Sequence, residues 1–425
     1  MTRYVEKNLW IDTCENTQAY PALTEDRDVD VVVIGAGYSG LSAALHLAEN
    51  KVDVAVLEAQ EIGYGGSGRN VGLVNAGLWL KPDEITDRLG KKDGEVLIRF
   101  LGSAPETVFG LIDTYQIKCE AIKNGTLHCA DSQKGLAELN ERQQQWQKFG
   151  YSLDLLSREK TAELMGADKY IGALHDLRAG SIQPLSYACG LAQAAVSLGA
   201  SIFCHSPVRS ITKAGQRWRV KTDKGTLNAQ KIITATGTYN ENGDTWASPD
   251  TTSLYYFQMA TAPLSEALQQ TILPEKHAAW DTHMVLTSFR LNREGRMIVG
   301  SVGCLDGAGY GTHKSWAYRK MLDVYPQLAG YAFTHEWYGR IGLTNNNIPR
   351  LAEPYPGWLT VWGYNGRGIA PGTVFGRALA ESTLSGDTST LPLKLSPSEQ
   401  ENFIKTQSFF IELGAAARHF IEKRV

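Results

Sequence analysis

The feature that most constrains this chain is DVDVVVIGAGYSGLSAALHLAE, beginning at Asp28. Its continuous apolar run reads as a strand buried on both faces, followed by a glycine turn and a helix with apolar residues at helical spacing. Gly35, Gly37 and Gly40 fill the G-x-G-x-x-G positions around Tyr38 and Ser39. The first makes the tight turn, the second lets backbone approach a pyrophosphate, and the third lets helix and strand pack closely. A second strand, VDVAVLEA, runs through Glu58 to Ala59 and puts an acid eighteen residues beyond Gly40, where it can accept both hydroxyls of an adenosine ribose. A structural glycine turn is the plain alternative, but strand, helix and acid together favour a dinucleotide. The acid points to NAD or FAD over NADP and does not choose between those two.

That choice turns on EIGYGGSGRNVGLVNAG, from Glu61. In a nicotinamide dehydrogenase the second strand usually feeds another helix, whereas here it feeds a long Gly/Ser segment. Its backbone N–H groups can meet phosphates, and its flat face can meet an extended ring. Gly66, Ser67, Arg69 and Asn70 offer polar contacts, and Val71, Gly72, Leu73 and Val74 offer apolar surface. The segment therefore fits a flavin better than a nicotinamide, with an ordinary solvated loop as the alternative.

The chain has 425 residues, enough for two domains with ample cores, and its net charge of −3 gives no reason to expect nucleic acid as a partner. No basic apolar leader opens the sequence and no apolar run approaches the roughly 20 residues that span a bilayer, so a cytoplasmic location is expected. The six cysteines are scattered without a CxxC pair, which indicates neither a metal site nor a disulfide framework.

These motifs, with GTLHCA at 125–130, GSIQPLSY at 180–187 and GYNGRG at 363–368, resemble the flavin-dependent amine and amino-acid oxidases of the D-amino-acid oxidase superfamily. Within it the chain is most similar to L-pipecolate and γ-glutamylputrescine oxidases. The resemblance implies an α/β fold in which a Rossmann-like FAD-binding domain is interleaved with a substrate domain on a mostly antiparallel sheet. The expected parts are 28–80, 160–250 and 349–390 for FAD, and a helical excursion 81–159 with the sheet 251–348 for substrate. A C-terminal helical segment, 391–425, follows; its FFIELGAAARHFIEKRV looks amphipathic, so a membrane-surface or dimer helix is the alternative to docking on its own domain.

The resemblance also implies site residues. Val208, taken to lie on a strand, would hold the adenine through its backbone; Thr236 and Gly237 end an apolar strand, KIITATG, close to the cofactor. Gly366, Arg367, Gly368 and Ile369 would meet the pyrimidine side of the flavin at a helix N-terminus. Gly368, Gly372 and Gly376 recur every four residues, which reads as a helix face lying against the cofactor, tight helix packing being the alternative. The sheet is expected to roof a substrate, with Tyr256, Gln258, Arg290 and Tyr338 in or near the cavity.

The implied reaction is hydride transfer from an amine-bearing carbon to FAD, giving an imine, with reoxidation by dioxygen or an electron-transfer acceptor. For an amino-acid substrate a guanidinium should clamp the carboxylate, and Arg290, Arg340 and Arg367 are the candidates, Arg69 being assigned to the cofactor. RIGLTNNNIP has no cysteine and GSGRN no histidine where relatives attach the flavin, so FAD is expected to be bound non-covalently. An L-pipecolate-like secondary amino acid is favoured, with a γ-glutamylputrescine-type or other primary amine as the alternative. The same fold also serves tRNA-modifying enzymes that act on an aminomethyl group; the absence of a basic tract speaks against that class.

Overall fold

The computed structural model describes residues 6–239, 251–307 and 309–396, with 414 and 418–420. Most of the C-terminal stretch read as an amphipathic helix lies outside the described residues. Two sheets carry the fold. In the first, five strands run parallel in the order Trp358–Trp362, Thr226–Thr234, Arg27–Ile34, Val54–Leu57 and Ser201–Phe203. Val31, Val33, Val54 and Val56 are buried on one side and Val32, Ile34, Ala55 and Leu57 on the other. Such a strand can be apolar throughout because both faces are covered. The antiparallel strand Arg350–Tyr355 closes one edge.

The second sheet has the order Phe333–Leu343, Thr252–Pro263, Arg296–Val302, Ser288–Leu291, Ala278–Asp281, Thr126–Ala130, Gly172–Asp176 and Asp154–Leu156. Its pairings are antiparallel except that between Ala278–Asp281 and Thr126–Ala130. Thr126–Ala130 and Asp154–Leu156 fall within the stretch expected to be a helical excursion, and Gly172–Asp176 falls within one expected to serve FAD. All three extend the second sheet instead. Thr126–Ala130 is buried throughout although Thr126 and His128 alternate with Leu127 and Cys129, so its alternation does not mark an exposed face.

Four helices position the site: α1 (Tyr38–Glu49), α2 (Gln133–Gln147), α3 (Pro184–Ser197) and α4 (Ile369–Ser385). The Ser132 side chain caps α2 by accepting from Gly135 N, and Gln183 caps α3 by accepting from Ser186 N at 2.7 Å. Helix α4 packs on α1, and there the glycine stripe finds its explanation. A Cβ on Gly376 would overlap the Ser39 carbonyl, and one on Gly372 would sit 3.2 Å from Ser39 Oγ. The stripe serves helix packing, and only Gly368, ahead of the helix, faces the cavity described next. No helix among the described residues is long and apolar enough to cross a membrane.

Candidate active site

A cavity of about 900 Å³ lies between the two sheets. Its wall on the parallel-sheet side contains Gly35, Gly37, Tyr38, Ser39, Glu58, Ala59, Val208, Thr236 and Gly237. Val208 reaches it from the irregular stretch beyond Ser201–Phe203, so its strand assignment is corrected. Gly35 has φ +104°, and a Cβ there would stand 2.8 Å from the Ala235 carbonyl, so both backbone and space demand glycine. Gly40 does not line the cavity. A Cβ on it would overlap Gly35 O, which identifies it as the close-packing glycine of the turn.

Glu58 accepts from Ala36 N at 2.8 Å and Gln60 N at 2.9 Å, which holds its carboxylate against the cavity. The first turns of α1 and α4 both line the cavity, and first-turn N–H groups have no acceptor within their helix. Two helix N-termini, a glycine cradle and a fixed acid fit an adenine dinucleotide with its pyrophosphate.

The glycine segment is shaped by its surroundings. Asn8 Nδ2 donates to Gly68 O at 3.0 Å, Trp10 Nε1 to Asn70 O at 2.8 Å, Trp337 Nε1 to Arg69 O at 2.8 Å, and Tyr38 Oη to Ser67 O at 2.6 Å. Asn70 ties the segment to itself, donating to Gly66 O and accepting from Gly72 N, both at 2.8 Å. With its carbonyls held from outside, the segment presents Gly66, Ser67, Asn70, Val71 and Leu73 to the cavity.

Three residues expected at the site hold this segment or its edge without lining the cavity. Arg290 is buried, and its Nη1 donates to Val71 O at 3.0 Å and Ile182 O at 2.6 Å. It braces the backbone of the glycine segment and does not line the cavity; burial lowers its pKa to about 10. Gly72, with φ +86°, would overlap Arg290 and Ile182 O if it carried a Cβ, so it admits the brace. Arg69 is held by protein partners, pairing with Glu6 and donating from Nε to Tyr64 O at 2.8 Å.

The opposite wall comes from the second sheet. Across Thr252–Pro263 and its neighbours, Gln258, Gly300 and Ser288 stand in one row and share the cavity face, with Tyr256 two residues along. Tyr338 pairs with Phe257 and packs with it in the core behind the sheet, so alternation removes it from the cavity. Tyr256 Oη and Gln258 Oε1 are buried without a hydrogen-bond partner. Burial holds the Tyr256 phenol well above its usual range, so it is a neutral donor and not a base.

Of the candidate arginines, Arg340 lines the cavity; its guanidinium stacks 4.8 Å from the Tyr239 ring, and its backbone N–H donates to Tyr239 Oη at 2.7 Å. Arg367 lines it together with Gly366, Gly368 and Ile369. Its guanidinium lies 4.5 Å from the Trp79 ring and 5.4 Å from the Trp280 ring, and Nη1 donates to Ala76 O at 3.2 Å. Burial first, and then neighbouring Arg142, lower its pKa to about 9. Trp280 in turn stacks on buried His128 at 4.9 Å, and burial holds that imidazole well below its usual range.

Trp79, Trp280, Tyr239 and Arg142 were not foreseen. Trp79 stands in the apolar tail of the glycine segment, which was a usable signal. Arg142 lies in a polar helix stretch, ERQQQWQ, that gives none.

The comparisons agree with this geometry. The family model described as FAD dependent oxidoreductase (DAO) matches residues 30–382. The chain is 31% identical to gamma-glutamylputrescine oxidoreductase of Escherichia coli over 375 residues, 87% of this chain and 86% of that protein. It is 31% identical to the oxidoreductase OrdL of Haemophilus influenzae over 387 residues, 90% and 89% of the two chains. Among solved structures, glycine oxidase from Geobacillus kaustophilus shares the fold with a TM-score of 0.70 at 17% identity, covering 88% of this chain and 99% of that one. L-Amino acid deaminase from Proteus myxofaciens does so with a TM-score of 0.72 at 17% identity, covering 89% and 95%. The chain is thus an enzyme of the DAO family of FAD-dependent oxidoreductases, with FAD as its cofactor.

Proposed function

We propose that the protein oxidises the carbon–nitrogen bond of a small amine bearing a carboxylate, with an L-pipecolate-like secondary amino acid as the first candidate. The observation that carries this reading is Arg367. It is a buried guanidinium in an aromatic wall, its Nε has no acceptor, and no acid forms an ion pair with it among the described residues. An unpaired buried charge is costly, and a substrate carboxylate relieves that cost while fixing the ligand through the guanidinium fork.

FAD, when bound, supplies the hydride acceptor. The chain supplies orientation: Arg367 takes the carboxylate, and Gln258 Oε1 and Tyr256 Oη are the unused polar atoms available to the amine. The apolar surroundings of Trp79, Trp280 and Leu286 disfavour an ammonium ion, so the amine sheds its proton on entry. No acid–base pair is required. Arg340 is the second candidate clamp, but its stacked guanidinium is committed to Tyr239. No cysteine or histidine lines the cavity among the described residues, which supports non-covalent FAD. Dioxygen or an electron-transfer partner would reoxidise it. Six free thiols support a reducing, cytoplasmic setting.

A second reading, oxidation of a γ-glutamyl-polyamine or another primary amine, is supported by the Escherichia coli relative. The test is anaerobic titration of the yellow holoenzyme with L-pipecolate, L-proline, sarcosine and a γ-glutamyl-polyamine. Bleaching by a cyclic amino acid is the expected result. Bleaching by the polyamine conjugate alone moves the assignment to the second reading, and no bleaching by any amine overturns both.

A further inference from the structure

Arg367 has a companion. Arg142, on α2, is 8% exposed and lines the same cavity. Its Nη2 and Nη1 donate to the carbonyls of Trp79 (2.5 Å) and Leu80 (3.4 Å), and its Nε is buried without an acceptor. The two guanidinium groups flank Trp79 closely enough that each burdens the neighbouring His128 and Arg142 depresses Arg367. Neither forms an ion pair among the described residues. The other cation of this rim, Lys81, is already paired with Glu141 at 2.6 Å.

Glu138, Glu84 and Glu141 act favourably on Arg142, and Asp176 on Arg367, but none of these acids pairs with either guanidinium among the described residues, so both buried forks keep donor capacity that an anion in the cavity can take up. Backbone carbonyls satisfy part of each fork, as they would in a merely structural role. They do not neutralise charge, and they leave both Nε donors facing an unfilled requirement.

We propose that Arg142 anchors a second anion position in the cavity, one that takes a carboxylate remote from the carbon that is oxidised. The inference rests on the amine-oxidation reading and adds to it: besides amines that Arg367 alone would hold, the cavity takes amines that carry a carboxylate at their far end. That chemistry occurs in an amine amide-linked to the side chain of a dicarboxylic amino acid and in an N-carboxyalkyl amino acid. Glu138, one turn before Arg142 on α2 and on the same cavity rim, gives the first of these a counter-charge for its α-ammonium group.

The test begins with the holoenzyme, titrated with glutarate and with acetate while the flavin spectrum is followed. Kinetics with L-pipecolate, a γ-glutamyl-polyamine and an N-carboxyalkyl amino acid follow. Glutarate should bind more tightly than acetate. Arg142→Gln should weaken glutarate by about tenfold or more and raise KM for the long substrates by a similar factor, while acetate binding and KM for L-pipecolate change far less and FAD is retained. Arg142→Lys should recover part of the loss. An equal effect on glutarate and acetate, or none on either, overturns the proposal. Should Arg142→Gln fail to retain FAD, Glu138→Lys decides: a cation added at the rim strengthens glutarate binding if the position exists and leaves it unchanged if it does not. Glutarate binding that depends on Arg142 in a protein no amine can reduce would sink the amine reading and leave the anion position standing.

Discussion

The two halves of the cavity are built differently. On the parallel-sheet side the wall is backbone: glycines, helix N-termini and one acid held by two N–H groups. On the opposite side it is side chain, with Tyr256 and Gln258 from one strand, Trp280 from another, and the guanidinium groups of Arg142 and Arg367 brought in from a helix and a loop. A backbone wall depends on local conformation, which short motifs encode; a side-chain wall depends on register and on which elements meet. One half therefore serves any adenine dinucleotide, and the other decides which amine enters.

The sharpest break of this contrast is Gly35→Val. The positive φ and the Ala235 carbonyl leave no room for a side chain, so the variant should lose FAD altogether and purify colourless. Retention of normal flavin absorbance would refute a backbone-built wall. Arg290→Leu comes next. Removing the brace from Val71, Gly72 and Ile182 should cost about 2–4 kcal/mol of stability and loosen FAD, with no change in selectivity among amines. Denaturant unfolding and FAD titration check it, and an amine-specific KM effect would return Arg290 to the substrate half.

Arg367→Gln should raise KM for a carboxylated amine by about 10- to 100-fold with FAD content intact, measured by steady-state kinetics. Glu58→Gln should weaken FAD by about tenfold and leave substrate selectivity alone, measured by equilibrium dialysis.

The smallest effect concerns the loop that carries Met284 and Leu286 over the cavity. His283 stands 3.0 Å from Asp281 and 2.6 Å from Asp131, and Asp281 raises its pKa above the ordinary 6.5. Because the folded value is the higher one, this stabilisation is complete below about pH 6.5 and fades as pH rises through the folded pKa. His283→Gln should therefore flatten the pH dependence of melting by roughly a few tenths of a kcal/mol.

Legibility followed the same division. The strand–turn–helix and Glu58 could be read because each step is local. Arg290 could not be, although its segment was recognised. Whether it faces a substrate or a backbone carbonyl depends on Ser288–Leu291 lying over the glycine segment some 200 residues earlier in the chain. Tyr338 was misplaced because alternation fixes which residues share a face only once pairing with Phe257 is known. The glycine stripe of α4 showed that something packs closely there, but not that the something is α1.

By itself the sequence determined the dinucleotide fold, the glycine turn between its first strand and helix and the need for a shaped glycine segment, because glycine conformation and apolar periodicity act over a few residues. Only the tertiary structure decided which arginines face the cavity and that Arg142 joins them. A long charged side chain can brace, pack or bind, and the choice depends on which carbonyls, rings and voids the rest of the fold brings within its reach.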